Sequence, residues 1–176
     1  MYKEYLEADI YRMGGVNRKG YTYYLLKLFR KAQYVKGFRG KVYRTLYKIF
    51  SLQNAIEIPP SCKIGKGFSI YHPFNITINP NTIIGDNCDI HKGVLIGEEN
   101  RGKRKGCPII GDSVWIGANA VIVGKITIGN DVLIAPNAFV NTDIPSHSIV
   151  YGNACVIKHC EKATEHYINR LWQTKS

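Results

Sequence analysis

The sequence predicts a mainly β protein: a parallel β-helix of triangular coils, with an α-helical segment before it and a short helix after it. Three observations carry the prediction. A large aliphatic residue recurs at a step of six from Ile58 to Val140, glycine or a small residue marks the intervening corners, and the first 54 residues lack that step and show helical spacing. A period of six suits neither an α-helix nor a simple alternating strand, so a repeat architecture is the natural reading.

The hexad series runs Ile58, Ile64, Ile70, Ile76, then Ile84, Ile90, Ile96, then Ile110, Ile116, Ile122, Ile128, Ile134 and Val140. Glycine follows directly at Gly65, Gly85, Gly97, Gly111, Gly117 and Gly129. The fifth position is small or aliphatic, as at Cys62, Cys88, Val94, Val114, Ala120, Ile126, Val132, Ala138 and Ile144. Three hexads close one triangular coil, with the first residue of each turned inward. Stacked coils then pair their backbones at about 4.8 Å and bury an aliphatic column.

The series is interrupted twice. Two extra residues fall between Ile76 and Ile84, around Asn79-Pro80-Asn81. The step from Ile96 to Ile110 is fourteen, which is either two hexads plus two residues or one hexad plus an eight-residue excursion. The polar, glycine-bounded stretch from Glu98 to Gly106 reads as a loop thrown out from a corner, and such loops on rigid scaffolds often carry function. The regular repeat fades after Ile144-Pro145.

Three segments follow: 1–54 helical, 55–158 the β-helix, and 159–176 a C-terminal helix or tail. In the first, Leu25, Leu26, Leu28 and Phe29, then Val42, Leu46, Ile49 and Phe50, form apolar faces at helical spacing. Its breakers are Gly14-Gly15, Gly20 and Gly37, and Pro59-Pro60 then ends any helix and opens the first coil.

The net charge of +11 is concentrated in this segment: residues 1–54 hold twelve Lys/Arg against Glu4, Glu7 and Asp9. The segment shows no nucleic-acid motif, so no nucleic-acid partner is expected, whereas contact with an anionic membrane surface is. A helical face packing its tyrosines on the coils is an equal alternative. No apolar run reaches the roughly 18–20 residues of a membrane span. The first ten residues carry charges and no apolar signal core, so a cytoplasmic location is expected, peripheral to the inner membrane face if that contact forms. Five cysteines without close pairing read as reduced thiols.

A β-helix is a scaffold, and its chemistry must be sought in particular side chains. His72, in Ile70-Tyr71-His72-Pro73, stands beside a corner two residues after an inward isoleucine. A neutral imidazole there can act as general base. Glu57 lies fifteen residues earlier, close to one coil, where a carboxylate could fix the imidazole tautomer. A histidine that is merely at the surface fits the spacing as well. His91 follows Ile90 at the next corner, but the coils offer no third histidine, so no metal site is expected.

Residues 57–158 resemble the serine O-acetyltransferase branch of the hexapeptide-repeat acyltransferases, whose β-helix is left-handed, and more closely the relatives that O-acetylate capsular and other surface polysaccharides. The resemblance rests on Glu57-Ile58-Pro59-Pro60, Ile64-Gly65-Lys66-Gly67, His72-Pro73, Ile76-Thr77-Ile78-Asn79-Pro80, Ile116-Gly117-Ala118-Asn119-Ala120 and Val150-Tyr151-Gly152-Asn153. It implies acetyl-CoA as donor, no metal, His72 as catalytic base and Glu57 as its paired acid. It also implies a homotrimer with acetyl-CoA between subunits. Backbone N–H groups near Gly97 would meet the oxyanion. Gly117, Ala118, Ala135 and Pro136 would let pantetheine approach, and Lys125 and Lys158 would face the nucleotide phosphates, unless they are ordinary solvated lysines.

Three departures bear on the acceptor. Tyr71 stands where serine acetyltransferases have an aspartate, Gly106 and Cys107 where they have an arginine and a second histidine, and Gly97-Glu98-Glu99-Asn100 where they have a Gly-Gly-Thr-Gly turn. Each removes a polar contact to a small zwitterion, so a saccharide or similar small acceptor is expected ahead of serine. Cys107 reads as a substrate contact or, ahead of that, as a structural residue before Pro108. A true serine O-acetyltransferase and a non-catalytic trimeric binding or scaffold module are the alternatives.

Overall fold

The computed structural model describes residues 2–14 and 20–173. Gly15 of the Gly14-Gly15 break, and residues 174–176 of the C-terminal segment, lie outside the described residues. Among the described residues three helices lead the chain: α1 Tyr2–Arg12, α2 Tyr21–Tyr34 and α3 Gly37–Leu52. Fifteen short strands follow in three sheets.

Sheet A stacks β1 Ile56–Glu57, β4 Ile76–Ile78, β7 Leu95–Gly97, β10 Val121–Val123 and β13 Phe139–Val140. Sheet B stacks β2 Lys63–Ile64, β5 Ile83–Ile84, β8 Ile109–Ile110 and β11 Thr127–Ile128. Sheet C stacks β3 Ser69–Tyr71, β6 Asp89–His91, β9 Val114–Ile116, β12 Val132–Ile134 and β14 Ser148–Tyr151, closed by β15 Val156–His159. All pairs are parallel except β14 with β15.

The register follows the hexads. Ile70 pairs with Ile90, Ile90 with Ile116 and Ile116 with Ile134. All thirteen residues of the inward series are buried, and so are the nine small or aliphatic residues at the fifth position. The pairing of Leu95 with Val121 spans 26 residues, whereas Val121 with Phe139 spans 18. The fourteen-residue step is therefore one hexad with an eight-residue excursion.

Corner chemistry explains the small residues. At Gly65, Gly85 and Gly111 a Cβ would fall within 2.9 Å of the backbone of the coil above, so no side chain fits. The corner between sheets B and C turns through left-handed residues at Gly67, Asn87, Ser113, Asp131 and His147. The corner between C and A does so at Asn75, Gly93, Asn119 and Asn137. Asn and Asp tolerate this conformation better than other residues with a Cβ, which is why they recur there.

Two buried ion pairs seat the helices on the prism. Arg30 of α2 donates through Nε and Nη2 to both carboxylate oxygens of Asp9 in α1, at 2.7 and 3.0 Å. It also donates to the carbonyls of Ile64 and Gly65, while Asp9 accepts from the Phe68 N–H. Arg12 pairs with the buried Asp89 of β6. Leu25, Leu26 and Phe29 join the core, whereas Val42, Leu46 and Ile49 of α3 are exposed.

The chain after the coils corrects the expectation of a C-terminal helix. Residues 156–159 pair as β15 on the edge of sheet C, which extends the solenoid past Ile144-Pro145, and the rest to residue 173 is turns and irregular chain. The reason is competition for backbone groups. Asp131 accepts from the Ala163 and Thr164 N–H groups and from the Thr164 hydroxyl, and Asn87 both donates to and accepts from the backbone of Trp172. Those groups hold the segment against the prism instead of closing helical turns.

Two outcomes follow from these anchors. Arg30→Ala, which strands the Asp9 carboxylate, should lower stability by roughly 3–5 kcal/mol; in a thermal melt that is a fall of about 6–20 °C for a chain of this size. The second concerns Asp131 and His147, whose Nδ1 lies 3.0 Å from Asp131 Oδ2. The bond from Asp131 raises the His147 pKa. Burial pushes Asp131 up, but the bonds from Thr164, His147 and Ala163 outweigh it and leave it lowered. A raised imidazole stabilises fully below its unfolded value, near 6.5, and a lowered carboxyl fully above its own, near 3.9, so the tether should be strongest between those limits. Hydrogen exchange at Ala163 and Thr164 should show highest protection in that window, and Asp131→Asn should reduce it roughly tenfold.

Candidate active site

Predicted site residues fall on two edges of the prism. The edge between sheets C and A carries Tyr71 and His72 in the first coil, His91 and Lys92 in the second, Gly117 and Ala118 in the third, and Ala135 and Pro136 in the fourth. Glu57 lies just past this edge on β1, one strand below Thr77. The edge between A and B carries Gly97, Cys107 and Lys125. Lys158 stands apart on β15, exposed, opposite Ile149. Within one chain, then, the proposed base shares an edge with the small residues assigned to pantetheine, while Gly97 and Cys107 lie across sheet A.

His72 is exposed and has φ of +52°. Lys92, Ala118 and Pro136, which occupy the same place in the coils above, do not share this conformation. A left-handed residue with a Cβ costs roughly 1–2 kcal/mol, and the following Pro73 favours extended backbone. Such an outlier points toward function. The imidazole borders a recess of about 330 Å³ lined by Met13, Tyr21, Tyr23, Ser69 and Tyr71, between sheet C and the first turn of α2. Glu57 is exposed, and among the described residues neither its carboxylate nor the His72 ring makes a side-chain hydrogen bond.

A stack of rings runs along this edge. Tyr71 lies on His91 with centroids 5.1 Å apart and planes 15° apart, His91 meets Trp115 at 4.6 Å, and Trp115 meets Tyr167 edge-on at 4.9 Å. His91 is half-buried, and its Nε2 is fully enclosed without a hydrogen-bond partner among the described residues. Hexad spacing places the Tyr71–His91 pair in adjacent coils. Trp115 and Tyr167 escaped the sequence reading because Tyr167 arrives with the C-terminal segment.

The remaining assignments change in detail. At Gly117 a Cβ would lie 2.6 Å from the Pro136 nitrogen, so glycine is needed there for coil stacking. Burial, then the Glu98 carboxylate, raise the Cys107 pKa, which opposes a nucleophilic thiolate and suits the structural reading. The excursion is a pinned hairpin. Glu99 and Gly106 exchange backbone hydrogen bonds, Glu99 pairs with Arg104 at 3.0 Å, and the Lys125 N–H donates to the Arg104 carbonyl. Lys125 thus sits under the loop, its side chain against Gly106.

Residues 107–142 match the family model described as bacterial transferase hexapeptide, six repeats. Over this stretch the chain is similar to the hexapeptide-repeat transferases. It is 38% identical over 110 residues to a serine acetyltransferase of Helicobacter pylori, covering 62% of this chain and 64% of that one. It is 36% identical over 126 residues to one from Staphylococcus aureus, covering 72% and 56%. The chain therefore spans less than two thirds of these relatives. Among solved structures, serine acetyltransferase isoform 3 of Entamoeba histolytica, in complex with cysteine, superposes with a TM-score of 0.70 at 28% identity, over 84% of this chain and 57% of that one. The Neisseria gonorrhoeae serine acetyltransferase in complex with serine gives 0.73 at 25% identity, over 89% and 69%.

Burial and then the nearby His72 lower the His91 pKa. In an NMR titration His91 should accept its proton below the range of a free imidazole, and His72→Asn, which removes the like charge, should move that midpoint upward.

Proposed function

We propose that this chain transfers the acetyl group of acetyl-CoA to an acceptor hydroxyl, with His72 as general base and serine as the acceptor. The carrying observation is the His72 corner: an exposed imidazole in a strained left-handed conformation, on the same prism edge as Ala118 and Pro136 and beside a recess able to admit a small acceptor. The relatives are named serine acetyltransferases, which favours serine over the saccharide expected from the sequence.

In this reading His72 takes the acceptor's hydroxyl proton as the oxygen attacks the thioester carbonyl. Glu57 steadies the imidazolium by charge, and backbone N–H groups meet the oxyanion. The tetrahedral species then expels the thiolate of CoA as the C–S bond breaks, and the imidazolium returns the proton to sulfur. Acetyl-CoA would lie along the C–A edge, where Ala118 stands two coils above His72, about 10 Å away at the usual strand spacing.

Gly97 and Cys107 can join that site only from a neighbouring copy, which supports a trimer. The outer faces of two sheets suit such contacts. Leu95, Val121, Val123 and Phe139 on sheet A, and Ile83 and Ile109 on sheet B, are half-buried or exposed. A saccharide remains the second reading because of Tyr71, an exposed aromatic ring beside His72 where the serine enzymes carry an aspartate. Aromatic faces pack well on sugar rings.

Release of free CoA thiol from acetyl-CoA, measured with L-serine and with a panel of sugars, tests the proposal. Serine should support turnover, and His72→Ala should reduce it about 10²–10⁴-fold. Undiminished turnover in that variant rejects the base, and turnover with sugars but not serine moves the acceptor to the second reading.

A further inference from the structure

Helix α3 has two opposed faces. Gly40, Tyr47 and Ser51 are buried on one, where the Tyr47 hydroxyl donates to the Ile58 carbonyl at 2.8 Å and ties the helix to the first coil. At 3.6 residues per turn, Phe38, Val42, Leu46, Ile49 and Leu52 share the opposite face. None is covered: Phe38 is 82% exposed, Ile49 59% and Leu52 60%. Lys41 and Lys48 border this stripe on one side and Arg39 on the other. Arg44 projects nearer the buried face and Lys36 caps the helix N-terminus, and α3 contains no Asp or Glu. None of these five cations forms an ion pair among the described residues.

We propose that α3 docks on an anionic lipid surface, inserting its apolar stripe at the headgroup boundary while its lysines and arginines meet lipid phosphates. An apolar stripe between cationic flanks is the layout of an interfacial helix. Charge complementarity selects this occupant. A second copy laid along the same stripe would set lysine against lysine with no carboxylate between them, and a polyanion in water would leave Phe38, Ile49 and Leu52 uncovered. Among the described residues no helix is long and apolar enough to cross a membrane, so contact is peripheral. Because α3 caps the first coil, the prism would stand with that end toward the bilayer. The inference is independent of the acyl-transfer reading.

The test is co-sedimentation of the full chain with vesicles of phosphatidylcholine alone or mixed with phosphatidylglycerol, with light scattering in parallel. Binding should need phosphatidylglycerol, weaken with salt, and drop at least about tenfold in Lys41→Gln/Lys48→Gln. Phe38→Ser/Ile49→Ser should lose it comparably while keeping its melting temperature, since both residues are exposed. Absent binding, binding that ignores lipid charge, or a stripe variant that instead lowers the oligomeric state would each overturn the proposal; the last would show that another copy covers the stripe.

Discussion

One spacing governs this molecule: each coil lies on the next at backbone hydrogen-bonding distance. At that separation a Cβ at Gly65, Gly85 or Gly111 would strike the neighbouring backbone, so those corners admit only glycine. The same separation turns the inward isoleucines into a continuous buried column. Outward positions become ladders in which residues from different coils stand about 4.8 Å apart. Tyr71 over His91, and the file from His72 through Ala118 to Pro136, are products of that ladder rather than of local sequence.

A rigid prism also limits what one copy can assemble. Side chains on the C–A edge and on the A–B edge are held apart by the width of sheet A, and no rotamer change brings Gly97 or Cys107 to His72. In the proposed reading oligomerisation would complete the site, and the aliphatic outer faces of sheets A and B would supply the contacts. The excursion from Glu98 to Gly106, tied by the Glu99–Gly106 bridge and the Glu99–Arg104 pair, projects from the edge that a neighbour would meet.

The helices are attached by charge as well as by apolar packing. Arg30 and Asp9 are both fully buried and satisfy each other and three backbone groups. Such a pair adds little net stability over an apolar one, but a misplaced helix would leave it unsatisfied, so it selects one seating. That seating fixes the first turn of α2 over the recess beside His72 and leaves the second face of α3 open.

The hexad period determined the inward column and the corner positions, and helical apolar spacing the character of the first segment, because steric periodicity is written residue by residue. The period also put His72 at a corner, but a surface histidine fits that spacing as well, and the role of base came from the resemblance. The length of the excursion, ambiguous as fourteen residues, was settled by strand register. The C-terminal helix, expected from local composition, gave way to β15 and to backbone capture by Asp131 and Asn87, partners far away in sequence. The exposure of Val42, Leu46 and Ile49 was equally hidden, because apolar spacing marks a face without saying what it meets. Local pattern fixes which residues share a face or a corner; long-range hydrogen bonds and coil stacking decide what lies against them.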